Sequence, residues 1–151
     1  MRWGAIPVFA IGVFAAYCAS PALAESAAPT LDNERASFPI CSGSNRTTCI
    51  VDGDTIWYRG TKIRIADIDT PEVSRPGCAR EAAIGHRATE RMQALLNAGA
   101  FTLAPGSDGR DADRFGRKLR VIMRDGVSLG ATLIAEGLAE RWGGPTVAWC
   151  Q

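Results

Sequence analysis

Hydrophobic and polar positions fall into three textures along this chain. From Ala5 to Ala19 the sequence is apolar, interrupted only by Gly12, Tyr17 and Cys18. Arg2 precedes that run, and Pro21-Ala22-Leu23-Ala24 ends it in an Ala-x-Ala cleavage pattern before Glu25. This is the layout of a secretory signal peptide over residues 1–24. The run is shorter than the roughly 20 residues that span hydrocarbon, and Tyr17 is bulky where lipidation at Cys18 would favour a small residue. Residues 25–37 mix Ala, Ser, Pro and charges without a period, and read as a flexible leader.

From Phe38 onward the pattern is that of a folded domain, residues 38–151. Thr48–Val51 and Thr55–Tyr58 are short β-type runs, and an Arg59-Gly60 turn leads into a strand over Thr61–Ile68. In Lys62-Ile63-Arg64-Ile65 apolar and basic residues alternate, which turns Arg64 away from Ile63 and Ile65 and predicts a surface position for it. Pro71 ends that strand. Ile84, Ala88, Met92 and Leu95 recur at helical spacing from Glu81 to Leu96, and Gly99 stops the helix. Ala100–Ala104 and Lys118–Arg124 are further strands, the second closed by an Asp125-Gly126 turn. Ser128 can cap a second helix running through Glu136, with Gly137 at its end. Five short strands with an intervening helix predict an α+β domain: a small barrel carrying helices, with no repeat and no second domain.

Composition changes this picture little. At 151 residues, 46% hydrophobic and 22% charged, the sequence fits one ordinary globular domain. Charge excludes one argument: losing Arg2 with the signal peptide takes the chain's +1 to zero, so bulk basicity cannot attract a polyanion. Local placement of arginine and metal must do so. Cysteine adds more. Without Cys18 four remain (Cys41, Cys49, Cys78 and Cys150), an even set that suggests two disulfides in an exported chain. A zinc site fits badly, with no Cys-x-x-Cys and His86 as the sole histidine. Cys41 and Cys49 flank a turn-forming Ser42-Gly43-Ser44-Asn45, which favours pairing them and leaves Cys78 for Cys150. The other two pairings stay open.

Candidate chemistry lies in three clusters: Asp52-Gly53-Asp54-Thr55, Asp67-Ile68-Asp69-Thr70-Pro71-Glu72, and Asp113-Arg114-Phe115-Gly116-Arg117. Hard divalent cations take oxygen ligands, and Asp54 and Asp69 could converge on one, with Glu72 in reach of a water on it. Taken alone these acids could equally be turn residues, because Asp-Gly is a common turn and Thr-Pro-Glu often opens a loop. The arginines shift the balance. Phosphodiester hydrolysis builds negative charge on the oxygens of a five-coordinate phosphorus, and guanidinium forks fixed beforehand answer that charge.

The order Asp-Gly-Asp-Thr, then Arg five residues before Asp-Thr-Pro-Glu, then Asp-x-aromatic-Gly-Arg resembles the staphylococcal-nuclease family from about Thr48 to Trp142. The resemblance implies a five-stranded OB-type β-barrel with two or three helices. It implies Ca2+ held by Asp54, Asp69 and the carbonyl of Thr70, with Glu72 activating water and Arg64 and Arg117 stabilising the transition state. It also implies DNA and RNA as substrates, cut to 5′-hydroxyl and 3′-phosphate ends. Four features depart from the family: Phe115 where the type member has Tyr, Arg114 for Lys, four added cysteines, and an end at Gln151 that leaves no place for a last C-terminal helix. Arg64, Glu72 and Arg117 are all expected at the barrel surface. Trp142 and Trp149 are expected to pack the C-terminus or stack bases, and His86 to lie at the surface. Asp67 could support the metal or pair with an arginine. The whole reads as a calcium-dependent, periplasmic or secreted nuclease, a monomer with no membrane association after cleavage. Its alternatives are a non-catalytic nucleic-acid-binding OB module and a disulfide-stapled calcium-binding envelope protein.

Overall fold

A computed structural model describes residue 1, residues 32–44 and residues 46–151. The signal-peptide segment past Met1 lies outside the described residues. Strands β1 (Cys49–Asp52) and β2 (Thr55–Tyr58) form a hairpin whose register shifts between Ile50 and Asp52. A second hairpin joins β2 to β3 (Thr61–Ile65). Its two turn residues, Arg59 and Gly60, both have positive φ (50° and 79°), the geometry that follows the twist of the strands. The chain returns after a helix to form β5 (Thr102–Pro105) and β6 (Lys118–Arg124), with β6 parallel to β3 and antiparallel to β5. The path β1-β2-β3-β6-β5 is the expected five-strand OB-type sheet. The rest is shorter. Strand β7 (Val127–Ser128) pairs with the end of β6, and β4 (Ile68–Asp69) pairs with β8 (Glu140–Arg141).

Two helices complete the described residues. α1 (Ala79–Asn97) buries Gly85, Ala88, Thr89, Met92 and Leu96, a stripe at helical spacing. α2 (Leu129–Ala135) is capped by Ser128, whose Oγ accepts from the Ala131 N–H. Ile50, Ile56, Ile63, Ile65, Ile68, Phe101 and Ile122 meet these helices in one core.

Two expectations need correction. The strand expected over Thr61–Ile68 is two: β3 ends at Ile65, a turn takes Ala66 and Asp67, and β4 finds a different partner. The leader expected over residues 25–37 is held to the domain in its described part, from Asp32. The Asp32 carboxylate accepts from Thr102 Oγ1 (2.9 Å) and the Asp125 N–H (2.8 Å). Glu34 and Phe101 exchange backbone hydrogen bonds of 2.9 Å, and further on Cys41 and Pro39 bond across to Ile50 of β1. Residues 34–41 therefore span the opening between the β5 and β1 sides of the sheet. Phe38 fills that opening, in an aromatic group with Tyr58 and Phe101 at 5.8 and 5.9 Å. Paired backbone and a buried ring, which composition does not report, fix this segment.

The four cysteines are joined as Cys41–Cys49 and Cys78–Cys150, the pairing the turn at 42–45 favours.

Candidate active site

The Asp52–Asp54 turn is pressed against two other elements. A Cβ on Gly53 would lie 2.9 Å from both the Ala88 Cβ of α1 and the Thr70 Cγ2, so a side chain there would collide. This close approach delivers Asp54 to the Thr70 segment. Asp54 Oδ2 accepts from the Thr70 N–H (2.9 Å) and Oγ1 (3.0 Å), while Oδ1 accepts from Thr55 Oγ1 (3.0 Å).

Arg64 ties these acids together. Its Nη1 donates to the carbonyls of Ile65 (2.7 Å) and Ile68 (2.8 Å) and lies 3.3 Å from Asp54 Oδ2, and its Nη2 pairs with Asp69. The surface position expected for Arg64 is wrong: the residue is only 7% exposed. Alternation along β3 does turn it away from Ile63 and Ile65, but that face is covered too. The turn after Ile65 aims carbonyls back at the guanidinium, and the Trp142 ring lies 5.2 Å from it.

Burial and like charge act on the acids. The half-buried Asp52 carboxyl is pushed up to about 7, first by its removal from water and then by the neighbouring Asp54 charge. Burial also raises Asp69, against the lowering effect of Arg64, and the charges of Asp54, Glu140 and Glu72 raise it further. Asp54 and Asp69 thus share one guanidinium, with Asp52 against Asp54. Asp52 is a site neighbour to which the family resemblance gives no role, although its place across Gly53 from Asp54 in a tight turn signals the proximity. Glu72 is exposed, on the loop that leaves β4.

Arg117 comes from the other side of the site. Asp113 Oδ1 accepts from the Phe115 and Arg117 N–H groups (both 2.9 Å), and Gly116 turns with φ of 76°. Asp113 Oδ2 then holds Arg117 Nε at 2.6 Å, which leaves the terminal amino groups of the fork free to point elsewhere. Phe115 is 69% exposed, with Arg114 and Arg117 over its ring at 4.7 and 5.6 Å. A cleft of about 320 Å³ opens between these elements, lined by Arg64, Asp113, Phe115, Arg117, Leu119 and Trp142 among others. Both arginines expected to act together meet there. Asp54 and Asp69 do not line it, but both pair with Arg64, which does.

Other expectations resolve simply. Trp142 forms a wall of the cleft rather than C-terminal packing, held by its N–H to the Asp67 carbonyl (3.1 Å). Among the described residues Asp67 neither joins the acids nor pairs with arginine. Its Oδ2 accepts from Ser128 Oγ at the start of α2, and its Oδ1 is buried without a partner. His86 is exposed on α1.

Residues 62–143 match the family described as Staphylococcal nuclease homologue. The chain belongs to the staphylococcal nuclease family. The match takes in Arg64, Asp69, Thr70, Glu72, Arg117 and Trp142, and starts after Asp54. Two Bacillus subtilis (strain 168) proteins are similar to it. Endonuclease YncB is 38% identical over 93 residues, covering 59% of this chain and 43% of that protein. SPbeta prophage-derived endonuclease YokF is 39% identical over 93 residues, covering 59% of this chain and 31% of that protein. The matched stretch is less than half of either relative. Of the four cysteines in this staphylococcal-nuclease domain, Cys78 lies within residues 62–143, whereas Cys41, Cys49 and Cys150 lie outside them.

Proposed function

We propose that this chain is a calcium-dependent nuclease that hydrolyses phosphodiester bonds of DNA and RNA by attack of water. The observation that carries the reading is the shared cleft: Arg64 and Arg117 open onto one space, and Arg64 is paired with Asp54 and Asp69. A phosphate entering there meets two guanidinium forks from different elements. Each is already oriented by a carboxylate, so little reorganisation remains when charge builds on the phosphoryl oxygens.

The acids fit a hard cation. The donors are all oxygen, and after burial the charges of neighbouring acids also raise Asp52 and Asp69. Asp54, Asp69 and the Thr70 carbonyl would hold the ion, with Asp52 beside them. Calcium bound there would lower the pKa of water and draw charge from the phosphate. Glu72, exposed at the loop edge, takes the proton of the attacking water. Arg64 moves part of its pairing from Asp69 to the phosphate, and Arg117 holds a second oxygen. The leaving group is the 5′-oxygen, so products end in 5′-hydroxyl and 3′-phosphate. The leader pattern in the sequence and the two disulfides support a periplasmic or secreted protein, which we take to act as a monomer.

The test is incubation of the mature chain with plasmid DNA, single-stranded DNA and RNA in calcium, in magnesium and in chelator. Cleavage in calcium, little in magnesium and none in chelator is expected. Binding without cleavage in any ion would instead make it a non-catalytic OB module.

A further inference from the structure

The geometry points to Glu81 as a positioning residue that sets Glu72 for catalysis, an inference that rests on the nuclease reading above. Glu81 sits in the first turn of α1, whose N-cap is Cys78. A glutamate three residues past a cap ordinarily folds back to the N–H of the cap itself. Here the carboxylate reaches past the cap. Its Oε2 accepts from the Gly77 N–H at 2.5 Å, and its Oε1 accepts from the Glu72 N–H at 3.4 Å. One carboxylate therefore clamps both ends of the loop 72–77, which has no regular secondary structure of its own.

The same helix face supplies a seat for the backbone just before that loop. One turn on from Glu81, a Cβ at Gly85 would come within 2.6 Å of the Pro71 carbonyl oxygen and 3.3 Å of the Glu72 oxygen. Upstream, Thr70 is fixed to Asp54 through its N–H and hydroxyl. Glu72 is thus gripped by its backbone while its side chain stays exposed. Hydrogen bonds accepted by a carboxylate are stronger than those between neutral groups. A general base works only within hydrogen-bond reach of its water, so a loose loop would lower turnover more than substrate affinity.

The test is a double-mutant cycle on the mature chain in calcium, with a short DNA oligonucleotide. Glu81→Ala should lower kcat by about 10- to 100-fold, the cost of roughly an ångström of misplacement, with little change in KM. Glu81→Gln, which keeps one acceptor oxygen, should recover much of that loss. In the Glu72→Gln background, where the base is already gone, Glu81→Ala should cost nothing further. An equal loss in both backgrounds would reduce Glu81 to a structural role and overturn the inference, as would unchanged kcat in Glu81→Ala. If Glu81→Ala does not fold, the Gln variant decides by the same criterion, with a smaller loss confined to chains that keep Glu72. An inactive wild-type chain would be a failure of the nuclease reading itself, and is seen before any variant is made.

Discussion

Arg64 is asked to do two things: to hold four acceptors inside the domain and to offer its fork to a phosphate. Removing a buried guanidinium leaves carbonyls and carboxylates without a donor, so Arg64→Ala should lower stability by about 3 kcal/mol as well as abolish turnover. Arg117→Ala strips a half-exposed ion pair and should cost under about 1 kcal/mol while lowering kcat by about 10² or more. Urea unfolding of the two variants beside their kinetics separates the roles, and equal midpoints would contradict the burial argument for Arg64. The chemistry of these arginines could be read in the sequence from their spacing to the acids. Their burial could not. Alternation assumes that one face of a strand stays wet, and the residue that covers this face, Trp142, arrives from the far end of the chain. Asp67 was ambiguous for the same reason, since its partner Ser128 is 61 residues away.

Among the elements, those with a period were legible and those made by contact were not. The Ala88–Met92 repeat announced α1, and turn residues announced both hairpins. β7 and β8 have two residues each, too few to carry any alternation. The strand over Thr61–Ile68 looked continuous because Ala66 and Asp67 carry no Gly or Pro to mark the break. The disulfides act on the same scale. Cys78–Cys150 closes 72 residues and anchors the loop that carries Glu72, whereas Cys41–Cys49 closes 8. In the chain-entropy account the Cys78→Ser, Cys150→Ser double variant should lose about 4 kcal/mol, and the Cys41→Ser, Cys49→Ser variant about 2.5 kcal/mol. Thermal unfolding of both variants measures this, and a larger loss from the short loop would refute the entropic ranking.

The whole molecule balances its charge unevenly. Asp52, with a folded value of about 7 against an ordinary 3.8, binds its proton more tightly folded than unfolded. Its contribution to stability is present below about pH 4 and is lost as pH rises through 7, and Asp69 acts in the same direction. Asp111 and Glu136 are lowered, chiefly by hydrogen bonds from Lys118 and Arg91, so their opposite effect falls below the ordinary carboxylate range. In chelator the melting temperature should therefore decline from pH 5 to pH 7.5, and calcium should flatten the decline by compensating the acids. A flat or rising profile in chelator would count against this charge imbalance. The span at residues 34–41 has its own consequence for how the chain comes into being. Asp32 is synthesised early, yet its partners Thr102 and Asp125 lie 70 and 93 residues downstream. The first-made part of the domain therefore waits for Thr102 and Asp125, and Phe38 for Phe101, before its contacts are complete.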